Sequence, residues 1–278
     1  MAKREPLKFP EGFHDDRLPK GTFSYSQYSA YKKCAAAYEL KYVKGLPSPG
    51  NVRMARGVAI HSLVEQALRK KMRGEVVKHE ELFSETTDVV KDAFGDIADW
   101  EGTDEKAATQ AVRDAYSTYH VYALPKLNPV AVEQPFAVKV ADVPMVGYID
   151  VVDLVPIADG VADETGEVPS RQVVVDLKTT EKTWSQDQVD RSPQLSLYAA
   201  ATGIPDVRID MLVQLKKGTE YRSVNGTRSH TAVEVFKEDL AETADLIKKG
   251  IFPKAAIDSW GCAKDWCSYW SICRGRNR

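Results

Sequence analysis

A short apolar stretch that ends in an acid and a lysine constrains the fold more than any other part of the chain. Residues 172–180 read Gln-Val-Val-Val-Asp-Leu-Lys-Thr-Thr, and this run of β-branched residues predicts a strand buried on both faces. Because side chains alternate along a strand, Asp176 and Lys178 share one face and Leu177 takes the other. A carboxylate and an ammonium at the end of a buried strand indicate a candidate site, with a solvated ion pair as the alternative.

Composition excludes several classes of protein. The 278 residues are 43% hydrophobic and 28% charged, with a formal net charge of -2, so nucleic-acid binding would need local basic patches rather than a global field. No apolar run has the length of a membrane span, and the charged N-terminus lacks the apolar core of a signal peptide. We therefore expect a cytoplasmic protein without membrane contact. In that compartment four cysteines favour metal ligands or free thiols over disulfides.

Helices are predicted in the first half of the chain. Ser24 precedes Gln27 by three residues, the spacing of a capping box, and a tyrosine- and lysine-rich helix follows to about Val43. This helix is a candidate surface for single-stranded DNA, although tyrosines at helical spacing also fit a core. A second helix over 54–73 places His61 beside its apolar stripe, where a buried core histidine is the alternative. Residues 79–124 predict further helix with a break near the middle.

Strands and short helices alternate in the second half. Residues 131–140 and 145–155 predict an antiparallel hairpin. Ser192 as N-cap, Pro193 at the first helical position and Gly203 just past the end predict a helix between them. Strands are predicted over 207–216 and 229–236 around a turn-rich stretch at 218–226, with a last helix over 238–249. This order of elements predicts an α/β fold, with a mixed sheet carrying packed helices.

Four of these residues together could hydrolyse a phosphodiester. His61, Asp150 and Asp176 offer an imidazole and two carboxylates, which suit Mg²⁺ or Mn²⁺. A bound cation lowers the pKa of its water and screens the phosphate. Lys178 would orient or deprotonate that water and offset charge in the transition state. Glu133 is a further acid among apolar residues, for which an edge charge and a site role are equally compatible with the sequence.

The order of these motifs resembles the RecB-like branch of the PD-(D/E)XK nucleases. The resemblance rests on residues 56–61 (RGVAIH), 147–150 (GYID), 174–179 (VVDLKT) and 194–198 (QLSLY). It implies a restriction-endonuclease-like central mixed sheet flanked by helices, with a helical insertion. It also implies site roles: metal ligation by His61, Asp150, Asp176 and the carbonyl of Leu177, catalysis by Lys178, and support of the site and DNA by Gln194 and Tyr198.

The cysteines are similar to those of the iron–sulfur members of that branch, which include the CRISPR-associated RecB-like exonucleases and phage relatives. Cys34 lies early, and Cys262, Cys267 and Cys273 lie near the C-terminus. The resemblance implies a [4Fe-4S] cluster that clips the C-terminal segment onto the N-terminal helix. Four residues separate Cys262 from Cys267, where two are commoner in the family, so zinc and unliganded thiols stay open as alternatives.

These inferences predict one nuclease domain over residues 1–278. Its parts are N-terminal helices at 22–61, a helical insertion at 62–125, a nuclease core at 126–250 and a cysteine-rich segment at 251–278 joined to Cys34.

The expected function is metal-dependent exonuclease activity on single-stranded DNA or DNA ends, in recombination, repair or phage DNA processing. The family most often degrades from the 5′ end. No Gly-rich phosphate loop followed by Gly-Lys-Ser/Thr is present, which favours a free-standing nuclease over a helicase–nuclease. DNA is the expected partner, in a bacterial or phage-infected cytoplasm, and protein partners are unknown. A non-catalytic DNA-end-binding adaptor is the alternative, and a redox sensor has only the cysteines in its favour.

Overall fold

The structure is a computed structural model, and it describes residues 6–48, 50–95, 97–99, 102–157, 166 and 168–275. Its contacts divide the chain into two compact units. The first contains Gly50–Gln134 and Tyr148–His230, and the second contains Pro6–Pro49, Pro135–Gly147 and Thr231–Arg278. Among the described residues, no helix is both long enough and apolar enough to cross a membrane. The single domain over 1–278 stays a prediction.

The described residues form eight strands and nine α-helices. The strands are β1 (Phe23–Ser24), β2 (Gly50–Asn51), β3 (Ile97–Asp99), β4 (Pro129–Val140), β5 (Val143–Pro156), β6 (Ser170–Thr180), β7 (Asp206–Leu215) and β8 (Gly218–Thr227). The helices are α1 (Tyr25–Lys33), α2 (Ala35–Tyr38), α3 (Val52–Met72), α4 (His79–Phe94), α5 (Glu105–Tyr122), α6 (Gln186–Asp190), α7 (Pro193–Thr202), α8 (His230–Lys248) and α9 (Trp270–Cys273). A π-helical turn occupies Glu39–Val43, and a 3₁₀ turn occupies Leu124–Lys126.

The main sheet is mixed, as predicted. In the first unit, β5 pairs antiparallel with β6, β6 pairs parallel with β7, and β7 pairs antiparallel with β8. In the second unit, β1 pairs parallel with the beginning of β5. The predicted strand at 172–180 is confirmed as β6, and its residues from Val173 to Leu177 are buried.

Helices α3, α4 and α5 cover one face of the sheet in the first unit. The apolar stripe of α3 is fully buried at Ile60, Leu63 and Leu68, as expected for a helix with apolar residues three and four apart. It packs with Leu177 of β6 and Leu212 of β7 in one hydrophobic cluster. The core therefore fixes α3 against the end of β6, and this places His61 beside the residues of the predicted site.

The predicted hairpin is present, with a tighter turn than the sequence suggested. Only Ala141 and Asp142 separate β4 from β5, and both have positive φ angles, 47° and 61°. Two residues with positive φ are the mark of a type I′ turn, whose twist matches that of the strands it joins. Val143 and Pro144, which the sequence assigned to the turn, therefore belong to β5.

The prediction for residues 218–236 is wrong. The stretch assigned to a turn is the strand β8, which pairs with all of β7 across the two-residue turn Lys216–Lys217. Its side chains are exposed or half-buried, so this polar edge strand lacks the apolar alternation that predicts a strand. Residues 229–236, read as a strand for their β-branched residues, begin α8, because Phe236 and Leu240 lie four residues apart on its buried face.

The predicted first helix is interrupted within the second unit. Ser24 caps it as predicted, with its hydroxyl accepting a hydrogen bond from the backbone N–H of Gln27 at 3.3 Å. Cys34 then adopts an extended conformation between α1 and α2. Tyr28, Tyr31 and Tyr38 are buried. These three tyrosines therefore belong to a core rather than to a DNA-binding surface.

A buried ion cluster joins β5 and β7 in the first unit. Nη1 of Arg208 lies 3.0 Å from Oδ2 of Asp153, and its Nε lies 2.8 Å from Oδ1 of Asp210. Asp153 also accepts a hydrogen bond from the backbone N–H of Asn128 at 2.7 Å. Burial raises the pKa of Asp210, and the Arg208 guanidinium opposes that rise. Both carboxylates are about 1% exposed, so their charge depends on Arg208.

We expect Arg208→Met to lower the free energy of unfolding by about 3–5 kcal/mol, because it leaves two buried carboxylates without their cation. Urea denaturation followed by circular dichroism measures this change. The matched control is Arg222→Gln on β8, which removes an exposed pair with Glu220 and should cost less than about 1 kcal/mol. Equal, small losses for the two variants would contradict the role given to the buried cluster.

Candidate active site

The site is built where β5 and β6 run side by side in the first unit. Val151 pairs with Val175 in antiparallel register, so one step further along each strand brings Asp150 and Asp176 opposite each other on the same face. Oδ2 of Asp150 accepts a hydrogen bond from the backbone N–H of Leu177 at 2.8 Å. This bond fixes one carboxylate against the backbone of the neighbouring strand.

His61 approaches the same point from α3. Its Nε2 lies 3.0 Å from the carbonyl oxygen of Leu177, and its Nδ1 lies 3.7 Å from Oδ1 of Asp150. If Nε2 donates to the carbonyl, Nδ1 presents a lone pair to the carboxylate. The lone pair of Nδ1 and the carboxylate oxygen repel each other at this distance unless a proton or a cation lies between them. His61 thus lies at the site rather than in the core, which was the alternative interpretation.

Lys178, Gln194 and Tyr198 surround Asp176. Nζ of Lys178 lies 2.7 Å from Oδ2 of Asp176 and donates to Oε1 of Gln194 at 2.8 Å. Nε2 of Gln194 lies 2.8 Å from Oδ1 of Asp176 and 2.8 Å from the hydroxyl of Tyr198. The predicted caps of α7 are present at Ser192 and Gly203, so the helix holds these side chains in place.

Asp176 is the most deeply buried acid of the site, at 1% exposure. Burial raises its pKa, Lys178 opposes this, and the nearby Asp150 adds to the rise. Its Oδ2 is in close ion-pair contact with Lys178 but accepts no aligned hydrogen bond from the residues that the structure describes. A buried carboxylate oxygen with spare accepting capacity suits a further cation.

The structure adds one residue to the predicted set. Glu133 on β4 is buried, and its carboxylate, the imidazole of His61 and the carboxylate of Asp150 offer atoms within 4.8 Å of one another. Its φ of 48° is unusual for a residue with a side chain inside a strand. The sequence contained one signal for a site role of Glu133, because an acid stands among apolar residues. The positive φ that directs its side chain toward His61 and Asp150 cannot be predicted from sequence.

This donor set fits a hard divalent cation. Mg²⁺ and Mn²⁺ hold oxygen and nitrogen ligands about 2.0–2.2 Å away, so ligands of one ion lie within about 4 Å of each other. The ligand atoms of His61, Glu133 and Asp150 lie within 4.8 Å of one another, so a bound ion would draw them slightly closer together. The carbonyl oxygen of Leu177, 3.0 Å from Nε2 of His61, and the carboxylate of Asp176 are the two further ligands that the resemblance implies.

The four cysteines meet in the second unit, where they line a cavity of about 170 Å³. Cys34 lies at the break between α1 and α2, Cys273 ends α9, and Cys262 and Cys267 lie on the loop before it. Burial raises the pKa of the Cys267 thiol, and the thiols of Cys34, Cys273 and Cys262 raise it further. All four sulfurs are therefore close enough to interact, and all four cysteines are free of disulfides.

The family is established by comparison with known proteins. A model of the PD-(D/E)XK nuclease superfamily matches residues 22–274, and the chain belongs to that superfamily. The mixed sheet flanked by helices agrees with this membership. A search of curated proteins finds no match.

The fold is shared with a solved structure at low sequence identity. A provisionally named exonuclease from Eubacterium rectale aligns with a TM-score of 0.56 at 12% identity, over 93% of this chain and 93% of its own. The structure of SSO0001 aligns with a TM-score of 0.36 at 10% identity, over 88% of this chain and 96% of its own, and its similarity is too low to carry an argument. The first comparison supports the fold alone.

Proposed function

We propose that this protein is a divalent-metal-dependent DNA exonuclease that hydrolyses phosphodiester bonds of single-stranded DNA or DNA ends. The observation that carries the proposal is the arrangement at the end of β6. There His61, Glu133 and Asp150 converge within 4.8 Å, and Lys178 lies 2.7 Å from the buried Asp176. Each position that the family pattern requires is filled, which favours a catalyst over a non-catalytic adaptor.

In this proposal, cation binding and transition-state stabilisation are carried out by different residues. His61, Glu133, Asp150, Asp176 and the carbonyl of Leu177 would hold the cation. When bound, a divalent cation lowers the pKa of a water and neutralises charge on the phosphate. The ammonium of Lys178 offers hydrogen bonds to a phosphate oxygen, and its charge offsets the negative charge that develops during attack.

Gln194 and Tyr198 are positioning residues in this proposal. Gln194 contacts Lys178 through its carbonyl oxygen and Asp176 through its amide nitrogen. It therefore holds the lysine and the acid at a fixed separation. Tyr198 supports Gln194 at 2.8 Å, and burial raises the pKa of the Tyr198 phenol well above its ordinary value, so the hydroxyl keeps its proton.

The cysteine cavity supports a further proposal, that these thiols hold a [4Fe-4S] cluster. Four thiolates are the ligand set of such a cluster, and four cations line the same cavity: Lys33, Lys41, Lys254 and Arg274. Their charge would offset that of the thiolates. The expectation that tryptophans shield the cavity is met in part, since Trp266 and Trp270 line it while Trp260 is 70% exposed. Zinc is the other candidate occupant.

The resemblance to the iron–sulfur nucleases favours membership of the RecB-like branch, and with it degradation from the 5′ end and a role in recombination, repair or phage DNA processing. In this proposal the protein acts in a bacterial or phage-infected cytoplasm, with residues 62–125 as an insertion and 251–278 as the clip to Cys34. DNA is its substrate.

The direct test is cleavage of DNA labelled at either end. Purified protein is incubated with 5′- and 3′-labelled single and double strands in Mn²⁺, in Mg²⁺ or in EDTA, and the products are separated by length. We expect metal-dependent shortening, with the label that is released first giving the polarity. Intact strands under every metal condition, with DNA still bound, would identify the non-catalytic adaptor instead.

A further inference from the structure

A second recess opens at the end of β6, where Thr179 and Thr180 line it. It has a volume of about 360 Å³ and is open to solvent. Its lining residues come from α3, from the end of β6 with the turn after it, and from β7: Arg53, Arg56, Thr179, Thr180, Glu181, Lys182 and Gln214. Three of these carry positive charge and one carries negative charge.

The two arginines lie in the first turns of α3, where Arg53 is exposed and Arg56 is half-buried. They are three residues apart, and residues at that spacing are neighbours on the surface of a helix. The two arginines therefore lie together at the beginning of α3, where Val52 and Ala55 are also buried in the core. Arg56 lies five residues before His61, a rise of about 7.5 Å along the helix.

Two buried polar groups line the recess and have no hydrogen-bond partner among the described residues. They are the hydroxyl of Thr179 and the amide nitrogen of Gln214. Thr179 pairs with Leu212 in the parallel register of β6 and β7, so both groups lie at the same end of the sheet. Buried donors without partners are uncommon, because each costs about 1–3 kcal/mol. Both can donate to an anion.

We propose that this recess binds a phosphate group of the DNA strand whose neighbouring phosphodiester is cleaved at Lys178. The inference rests on the proposed function. Thr179 and Thr180 follow Lys178 in the chain, so the recess and the reacting phosphodiester lie at the same end of β6. Arginine suits this role because its planar guanidinium contacts two phosphate oxygens at once.

Glu181 controls access to the recess in this proposal. Its Oε1 lies 3.5 Å from Nη2 of Arg53, and both side chains are at least half exposed. An exposed pair of that length contributes little stability. The pair with Glu181 therefore adds little to what holds Arg53 in place, and the recess carries a net positive charge with Glu181 included.

The test measures DNA affinity under conditions that prevent cleavage. A short single strand carrying a 3′ fluorophore is titrated in EDTA and followed by anisotropy, once with a 5′-phosphate and once with a 5′-hydroxyl. Arg53→Gln/Arg56→Gln is compared with Lys217→Gln/Arg222→Gln, which removes the same charge from positions that do not line the recess. Circular dichroism of each variant reports folding, and Thr179→Val tests the recess without a charge change.

We expect the arginine variant to weaken binding at least about tenfold and the control to change it less than twofold. The salt dependence should become shallower by about 0.7 for each phosphate that the variant no longer neutralises. Thr179→Val should weaken binding about threefold to tenfold without loss of stability. If the weakening is confined to the 5′-phosphorylated strand, the recess holds the terminal phosphate; if both strands are weakened equally, it holds an internal one.

Equal affinities for the arginine variant and its control would overturn the phosphate site, as would the absence of DNA binding by the wild type. Cleavage by the wild type in Mn²⁺ is scored separately. Binding that depends on the arginines without any cleavage would refute the nuclease function and leave the phosphate site standing.

Discussion

Lys178→Ala is expected to lower the rate of DNA cleavage by about a thousandfold or more. Its ammonium is the only described cation in ion-pair contact with Asp176, and transition-state stabilisation by one positioned group is commonly worth two to four orders of magnitude. The loss should appear in kcat rather than in KM, because the contacts between the protein and the other phosphates of the DNA strand, which determine substrate affinity, remain. Single-turnover cleavage of an end-labelled strand in Mn²⁺ measures it.

Lys217→Ala is the matched control, since it removes a lysine from the exposed turn between β7 and β8. It should leave the rate within about twofold of the wild type. Asp176→Asn should abolish cleavage. It should leave unchanged the brown colour expected of a bound iron–sulfur cluster, because no residue of β6 lines the cysteine cavity. A Lys178→Ala variant with wild-type rates would remove the lysine from the mechanism.

Cys34→Ala is expected to give colourless and poorly soluble protein. Cys34 and Cys262 are separated by more than 200 residues, and a cross-link that closes a loop of that length restricts the unfolded chain by about 5 kcal/mol in the chain-entropy treatment. That amount is comparable to the whole stability of many domains. The absorbance of the purified protein near 400 nm, its iron and sulfide content and its melting temperature measure the effect.

Ala35→Gly is a control next to Cys34, since it changes the chain without removing a thiol. It should retain iron and colour. A soluble, fully active Cys34→Ala variant would contradict a structural cluster. Wild-type protein that contains zinc in place of iron would identify the other occupant.

The end of β6 was predictable because its signals are local. The apolar run gives the strand, the alternation of side chains places Asp176 and Lys178 together, and the caps at Ser192 and Gly203 give α7. The proximity of His61 and Asp150 to that strand required the resemblance to a family, because nothing in a single sequence reports contacts over such distances.

The features missed by sequence depend on pairing and backbone conformation. β8 is polar because it is an edge strand, so its existence follows from the register with β7 rather than from its own pattern. Glu133 reaches the site through a positive φ. Arg208 joins Asp153 and Asp210 from two strands. Strand register, backbone conformation and contacts between strands are defined only by the folded chain.

A calorimetric titration of the wild type and Asp150→Asn with Mn²⁺ tests the cation site most directly. We expect saturable binding by the wild type and at least about a hundredfold weaker binding by Asp150→Asn. Lys178→Ala keeps every ligand and should bind Mn²⁺ with near wild-type affinity. Equal Mn²⁺ affinity for the wild type and Asp150→Asn would contradict a catalytic cation at the end of β6.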